Sequence, residues 1–163
     1  MIELTQERLK ELLHYDHDTG VFAWRALPPN AHCVKIGDVA GSYSNGYLKI
    51  KICGVSYWGH RLAWLYMTGE WPLFEIDHRN GIHADNRRKN LREGTKSFNQ
   101  QNQRNAHRNN KIGLLGVSKN ENGFRARIQL DGKRRCLGSF PTPELAHDAY
   151  LEAKRELHPS CTI

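Results

Sequence analysis

The chain has 163 residues, with 24 Lys and Arg against 17 Asp and Glu, a formal net charge of +7. That length allows one ordinary domain or two small ones, and the basic excess favours nucleic acid or an anionic membrane surface as partner. No apolar run approaches the ~18 residues of a membrane-spanning helix, no signal-peptide core follows Met1, and Cys33, Cys53, Cys136 and Cys161 form no Cys-x-x-Cys pair. Membrane insertion, export, structural zinc and disulfides are therefore not expected, and a cytoplasmic setting is.

The charge is uneven. Residues 1–75 carry 7 basic and 8 acidic groups, residues 76–111 carry 9 and 3, and residues 112–163 carry 8 and 6. The excess sits in the middle of the chain.

In chain order, Thr5 caps a short amphipathic helix over residues 4–14, with Leu9, Leu12 and Leu13 on one face. Tyr15 to Gly20 is a turn and Val21 to Trp24 a strand. Residues 25–38, with Pro28-Pro29, have no period and read as loop. Ser44-Asn45-Gly46 turns into the alternating run Tyr47–Ile52, and Cys53-Gly54 turns into Val55–Trp58. His60 to Met67 is helical and stops at Gly69. His60 reads as a structural hydrogen-bonder at the helix start, His83 as loop surface, and the four tryptophans as core. Glu75 to His78 and Asn90 to Arg92 are two short paired strands. Thr95 caps a polar helix running to about Ala106, with Phe98 its one large apolar residue. Such a helix is ordered by a phosphate backbone or is simply a solvated face.

Residues 107–113 read as a linker. Beyond them, Leu115–Ser118 starts a strand, Phe124–Leu130 alternates strictly, Asp131-Gly132 marks a hairpin, and Arg134–Leu137 returns. Thr142-Pro143-Glu144 opens a helix that buries Ala146, Ala149, Tyr150, Ala153 and Leu157. The result is a small module of three strands and one helix.

The chemistry concentrates in residues 75–99. Phosphodiester cleavage needs an activated water and a cation. A histidine accepts the water's proton near neutral pH, its ordinary pKa being about 6.5. A hard cation takes carboxylate and amide oxygens. Asp77 and His78 are adjacent on a strand and point to opposite faces, so they serve one centre only if the strand ends or twists there. The Asn80-Gly81 turn allows that.

Asp77-His78, Asp85-Asn86-Arg87, Asn90-Leu91-Arg92 and Asn99 together resemble the HNH motif of phage and intron-borne homing endonucleases, which have a ββα-metal (His-Me finger) fold. Gly59-His60-Arg61-Leu62-Ala63-Trp64 and Leu13-His14-Tyr15-Asp16 with Thr19-Gly20 fit the same family, so the resemblance covers roughly residues 10–105. It implies that His78 is the general base, Asp77 a metal ligand, Asn90 the residue that braces the loop and orients the base, and Asn99 the second ligand. Many relatives carry His at that last position. The Asp and Asn pair suits Mg2+ or Mn2+ better than zinc. Arg87, Arg88 and Arg92 contact phosphate or are surface charge.

In the C-terminal module Phe124, Ala126, Ile128 and Leu130 share one face, and Arg125, Arg127 and Gln129 the other, joined by Arg134. Such a face is a major-groove reader or an ordinary polar surface. Gly116-Val117, Phe124–Ile128, Leu137-Gly138-Ser139-Phe140 and Thr142-x-Glu144-x-Ala146-x-x-Ala149-Tyr150 resemble the Apetala/ethylene-response-factor DNA-binding domain. That resemblance implies DNA contacts from Ser118, Asn120, Arg125, Arg127, Gln129 and Arg134. Cys136 stands where plant members often carry Trp, and Ser118 where they often carry Arg, so a target sequence does not carry over.

The expectation is an α+β chain: an HNH nuclease domain over 1–106, a linker over 107–113, and an Apetala/ethylene-response-factor-type domain over 114–163. Its partner is double-stranded DNA, its state monomeric, and its setting the host cell of a phage or mobile element. The rivals are a DNA-binding regulator on an inactive nuclease scaffold and a non-specific nuclease.

Overall fold

The computed structural model describes residues 4–27, 34–107, 109–130, 132–158 and 161–162. The Pro28-Pro29 step, Cys33 and Asp131 of the expected Asp-Gly turn lie outside them. The chain mixes α and β with several small sheets and falls into two compact units, Met1–Gly94 and Thr95–Ile163. No helix among the described residues is long and apolar enough to cross a membrane.

In the first unit, α1 (Gln6–Leu12) starts at Thr5, whose Oγ1 accepts from the Arg8 amide at 3.3 Å. The periodicity carries this helix to residue 14, but the chain leaves it earlier. Leu13–Tyr15 is β1, antiparallel to β2 (Phe22–Trp24). Leu13 is buried by either conformation; the strand also buries Tyr15, whose ring packs on Phe22 at 4.7 Å between centroids. Tertiary pairing outweighs a weak local preference here.

The strands β3 (Ser42–Ser44), β4 (Tyr47–Ile52) and β5 (Val55–Trp58) form one antiparallel sheet. Its turns, Asn45-Gly46 and Cys53-Gly54, put both residues in the left-handed region, as two-residue hairpins prefer. Along β4 the side chains alternate. Leu48, Ile50 and Ile52 are buried, while Lys49 and Lys51 are exposed. The helix α2 (Gly59–Thr68) lays Leu62, Ala63 and Leu65 on the same core as Leu9, Leu12 and Phe22. Side chains of this size stabilise by roughly 1.5–3 kcal/mol each when fully buried. The strands β6 (Glu75–His78) and β7 (Leu91–Gly94) pair with Asp77 opposite Arg92 and His78 opposite Leu91.

In the second unit, α3 (Lys96–Gln101) is capped by Thr95, whose Oγ1 accepts from the Phe98 amide. It stops short of the expected Ala106. Its polar run has little apolar stripe, and the groups just beyond it are engaged elsewhere. Lys154 Nζ donates to the Gln103 carbonyl, and Thr162 Oγ1 donates to Asn102 Oδ1 at 2.7 Å.

The strands β8 (Val117–Asn120), β9 (Gly123–Leu130) and β10 (Lys133–Phe140) form an antiparallel sheet in the order β10-β9-β8. The helix α4 (Pro143–Leu157) covers it with Ala146 and Tyr150 packed on Val117, Ala126 and Ile128. Gly116, at φ +79°, lies flat on this helix: a Cβ there would stand 2.1 Å from the Tyr150 ring.

Candidate active site

The strand β6 sends Asp77 and His78 to opposite faces, and each is held separately. Asp77 Oδ2 accepts from Arg92 Nε at 2.9 Å and Nη2 at 2.8 Å across the β6–β7 ladder. Both side chains are about 15% exposed, so little water screens the pair. His78 is 3% exposed. Its carbonyl accepts from the Gly81 amide at 2.8 Å, which turns the chain out of the strand.

Asn90 closes the loop that follows. Its Oδ1 accepts from the Asn80 amide at 2.9 Å, its Nδ2 donates to the Asp85 carbonyl at 2.7 Å, and its own carbonyl accepts from the Arg79 amide. One side chain thus ties the start of the loop to its far end. Asp85 adds a second knot, accepting from Asn80 Nδ2 at 2.6 Å and Arg87 Nε at 2.7 Å. The Arg87 bond is the main cause that draws the Asp85 carboxyl down to about 2. Arg87 and Arg92 thus pair with carboxylates, while the Arg88 side chain is exposed.

The residue beside the His78 ring is Asn86, 1% exposed, with Oδ1 at 3.4 Å from His78 Nε2. Asn86 is anchored from behind: its carbonyl accepts from the Tyr15 hydroxyl at 2.6 Å, and burial pushes that phenol well above its usual range. Gly20 lies against the same peptide. Burial lowers the pKa of His78, an effect the Asn86 contact opposes. At pH 7 its imidazole is therefore neutral and able to accept a proton.

Sequence reasoning assigned no role to Asn86, although it falls inside the Asp85-Asn86-Arg87 run. It also passed over an aromatic cluster around Tyr47. The Tyr47 ring stacks on His83 at 4.1 Å and 10°, and lies 5.5 Å from His60, 5.7 Å from Trp58 and 6.0 Å from His78. His60 and His83 stand 5.3 and 5.8 Å from His78. His60 is not the hydrogen-bonder expected: its Nδ1 is buried with no hydrogen-bond partner among the described residues. Trp24 is core as expected, but Trp58 is 40% exposed. The signal for Tyr47 was its place at the head of an alternating strand, which says nothing about a ring partner far along the chain.

Residues 57–101 match the family model for HNH endonucleases. The matched stretch runs from β5 through α2, β6 and β7 to the end of α3, and it supports an HNH nuclease acting on DNA. No curated protein and no solved structure matches the chain. The match includes Asn99, which lies half-buried on α3 in the second unit. Among the described residues, the one group of three side chains with metal-ligand spacing is Asp16, His17 and Asp18, and Asp16 Oδ1 there accepts from the amides of Asp18 and Thr19.

In the second unit, the register sets Ser118 and Ser139 opposite Arg125, Cys136 opposite Arg127, and Arg134 opposite Gln129. The sheet therefore has one Arg/Gln/Ser face and one apolar face against α4. Asn120 Nδ2 donates to Ser139 Oγ at 3.1 Å. A groove of about 760 Å³ brings Ser118, Arg127, Gln129 and Arg134 together with Lys96 and His158.

Proposed function

We propose that the chain is a metal-dependent DNA endonuclease of the HNH homing type, with residues 75–99 as a ββα-metal site. What carries the reading is His78: a buried, neutral imidazole held beside Asn86 on a loop that Asn90 closes, one residue from the carboxylate of Asp77. His78 takes the proton of a water that attacks phosphorus in line. Asp77, with Asn99 by motif order, would hold Mg2+ or Mn2+; both residues offer oxygen donors, which suits a hard cation. Such a cation would supply positive charge to the scissile phosphate and the leaving 3′ oxygen. Arg88 offers charge to flanking phosphates. The C-terminal module, of the Apetala/ethylene-response-factor type, reads DNA with Ser118, Asn120, Arg125, Arg127, Gln129 and Arg134. The protein acts as a monomer in the cytoplasm of a host cell and nicks one strand per engagement, since one site serves one phosphodiester.

The rival reading is a DNA-binding regulator on an inactive scaffold. It is favoured by the Arg92 guanidinium, which already occupies Asp77 Oδ2. Supercoiled plasmid with and without Mg2+ separates the two, with the cut ends mapped. Discrete nicks with Mg2+ are expected, and His78→Ala should abolish them while DNA binding survives. A smear of ends means a non-specific nuclease. No cuts with any divalent metal means the regulator.

A further inference from the structure

We infer that the outward face of the β3–β4–β5 sheet is a track for the DNA strand whose phosphate reaches His78. The inference rests on the nuclease reading above and adds to it a surface that neither the motif nor the C-terminal module supplies.

The inner face of β4 is committed to the core through Leu48, Ile50 and Ile52, so its outer residues have no packing duty there. Those outer residues are Tyr47, Lys49 and Lys51, with Trp58 opposite Lys49 in register. The Lys49 ammonium lies over the Trp58 ring at 5.9 Å. A cross-strand cation–aromatic pair alone is an ordinary way to stabilise a sheet. It does not explain why the rings continue in one direction. Trp58 meets Tyr47 at 5.7 Å, Tyr47 stacks on His83 at 4.1 Å, and His83 stands 5.8 Å from His78. The line begins at a 40% exposed tryptophan and ends at the buried base.

Charge points the same way. Residues 1–75 are close to neutral as a whole, yet no acidic residue occurs between Asp38 and Glu70. The sheet lies wholly inside that interval, so its two lysines face no carboxylate of their own sheet. An aromatic row flanked by lysines fits a nucleic-acid strand: phosphates pair with the ammonium groups, and a base or sugar stacks on the exposed ring. An acidic peptide would use the lysines but leave the ring line toward His78 unexplained.

The test uses the full chain carrying His78→Ala, so that bound DNA stays intact, and a short mixed-sequence duplex at several salt concentrations. Lys49→Glu with Lys51→Glu should weaken binding at least about tenfold. Lys49→Gln with Lys51→Gln should lower the slope of log affinity against log salt by about 1.8, two phosphate contacts at about 0.9 each. Trp58→Ala should weaken binding about fivefold or more when the same sequence is offered as a single strand, as loss of one stacked base does. All these side chains are solvent-facing, and circular dichroism checks that each variant is folded. Unchanged affinity and slope in folded variants overturn the track. So does concentration-dependent self-association that the lysine variants abolish without loss of DNA affinity, because the face then docks protein. Absence of cleavage by the unsubstituted chain with any divalent metal defeats the nuclease reading instead, and cleavage that persists in His78→Ala removes His78 as base; both failures are visible separately because the binding assay needs no turnover.

Discussion

Three imidazoles, His60, His78 and His83, meet around the Tyr47 ring, and their surroundings separate them chemically. His60 is the most strongly perturbed. Burial first, then the charges of His78, Arg61 and His83, bring its pKa to about 4 from an ordinary 6.5. A folded-state pKa below the unfolded one means that the unfolded chain binds more protons between those values. The stability that neutral His60 contributes is thus fully present above pH 6.5 and falls as pH drops toward 4. At pH 5 the loss is on the order of 2 kcal/mol, and His78, also lowered, acts in the same sense. Denaturant midpoints at pH 7 and pH 5 should therefore move apart in the native chain and move closer in His60→Gln. Equal pH dependence in the two chains would mean that His60 is not the source. At this scale Asp77, His78 and Asn90 are legible as candidates through the resemblance of their ordered set to the HNH motif, which is local in sequence. Asn86 and Tyr47 are invisible as site residues: their partners, Tyr15 and His83, are far away in sequence, and no residue type marks a ring as facing a histidine.

Among elements, the β1–β2 hairpin does more than fill the core. Its turn meets the loop that Asn90 closes backbone to backbone. Gly20, at φ +75°, lies so close that a Cβ would stand 2.6 Å from the Arg87 nitrogen and 2.7 Å from the Asn86 carbonyl carbon. The next contacts fix the same strip of loop: Tyr15 Oη on the Asn86 carbonyl and the Arg88 amide on the His17 carbonyl at 3.0 Å. Gly20→Ala therefore carries a left-handed backbone penalty of about 1–2 kcal/mol plus a clash with main chain that no rotamer relieves. The expected result is a chain destabilised by at least that amount. Its plasmid cleavage should fall further than its DNA affinity, because cleavage depends on how Asn86 sits against the His78 ring, whereas the exposed Arg88 on the same strip keeps its charge wherever its backbone settles. Denaturant melts and paired cleavage and binding assays check this; equal loss in both would place the effect on global folding alone. Elements were legible where one period ruled, as in β4, β9 and α4. They were misread where two periods coincide, as at Leu13, or where tertiary partners capture a polar run, as after Gln101.

Across the whole chain, composition separates general affinity from selectivity. The sequence places the strongest cation excess in residues 76–111, and the structure then pairs two of those arginines with Asp85 and Asp77. What remains for sequence-dependent contact under the proposed reading is the C-terminal sheet face, where Arg125, Arg127 and Arg134 project with Gln129. An arginine that reads guanine edges contributes about 1–3 kcal/mol of discrimination, whereas one that only meets phosphate contributes equally on every sequence. The full-length variant with Arg125, Arg127 and Arg134 all changed to Ala distinguishes these. If the face reads bases, mapped plasmid nicks should spread from discrete positions to many. The nicking rate at saturating DNA should hold, since His78, Asp77 and Asn90 are untouched. If the face meets phosphate alone, the nick positions should stay fixed while the salt slope of affinity drops by about 2.7, three contacts at about 0.9 each. The alternation of Arg125 and Arg127 with buried Ala126 and Ile128 aims both guanidiniums at one side of the sheet, a geometry that either outcome requires, so the nick map and the salt slope decide between them.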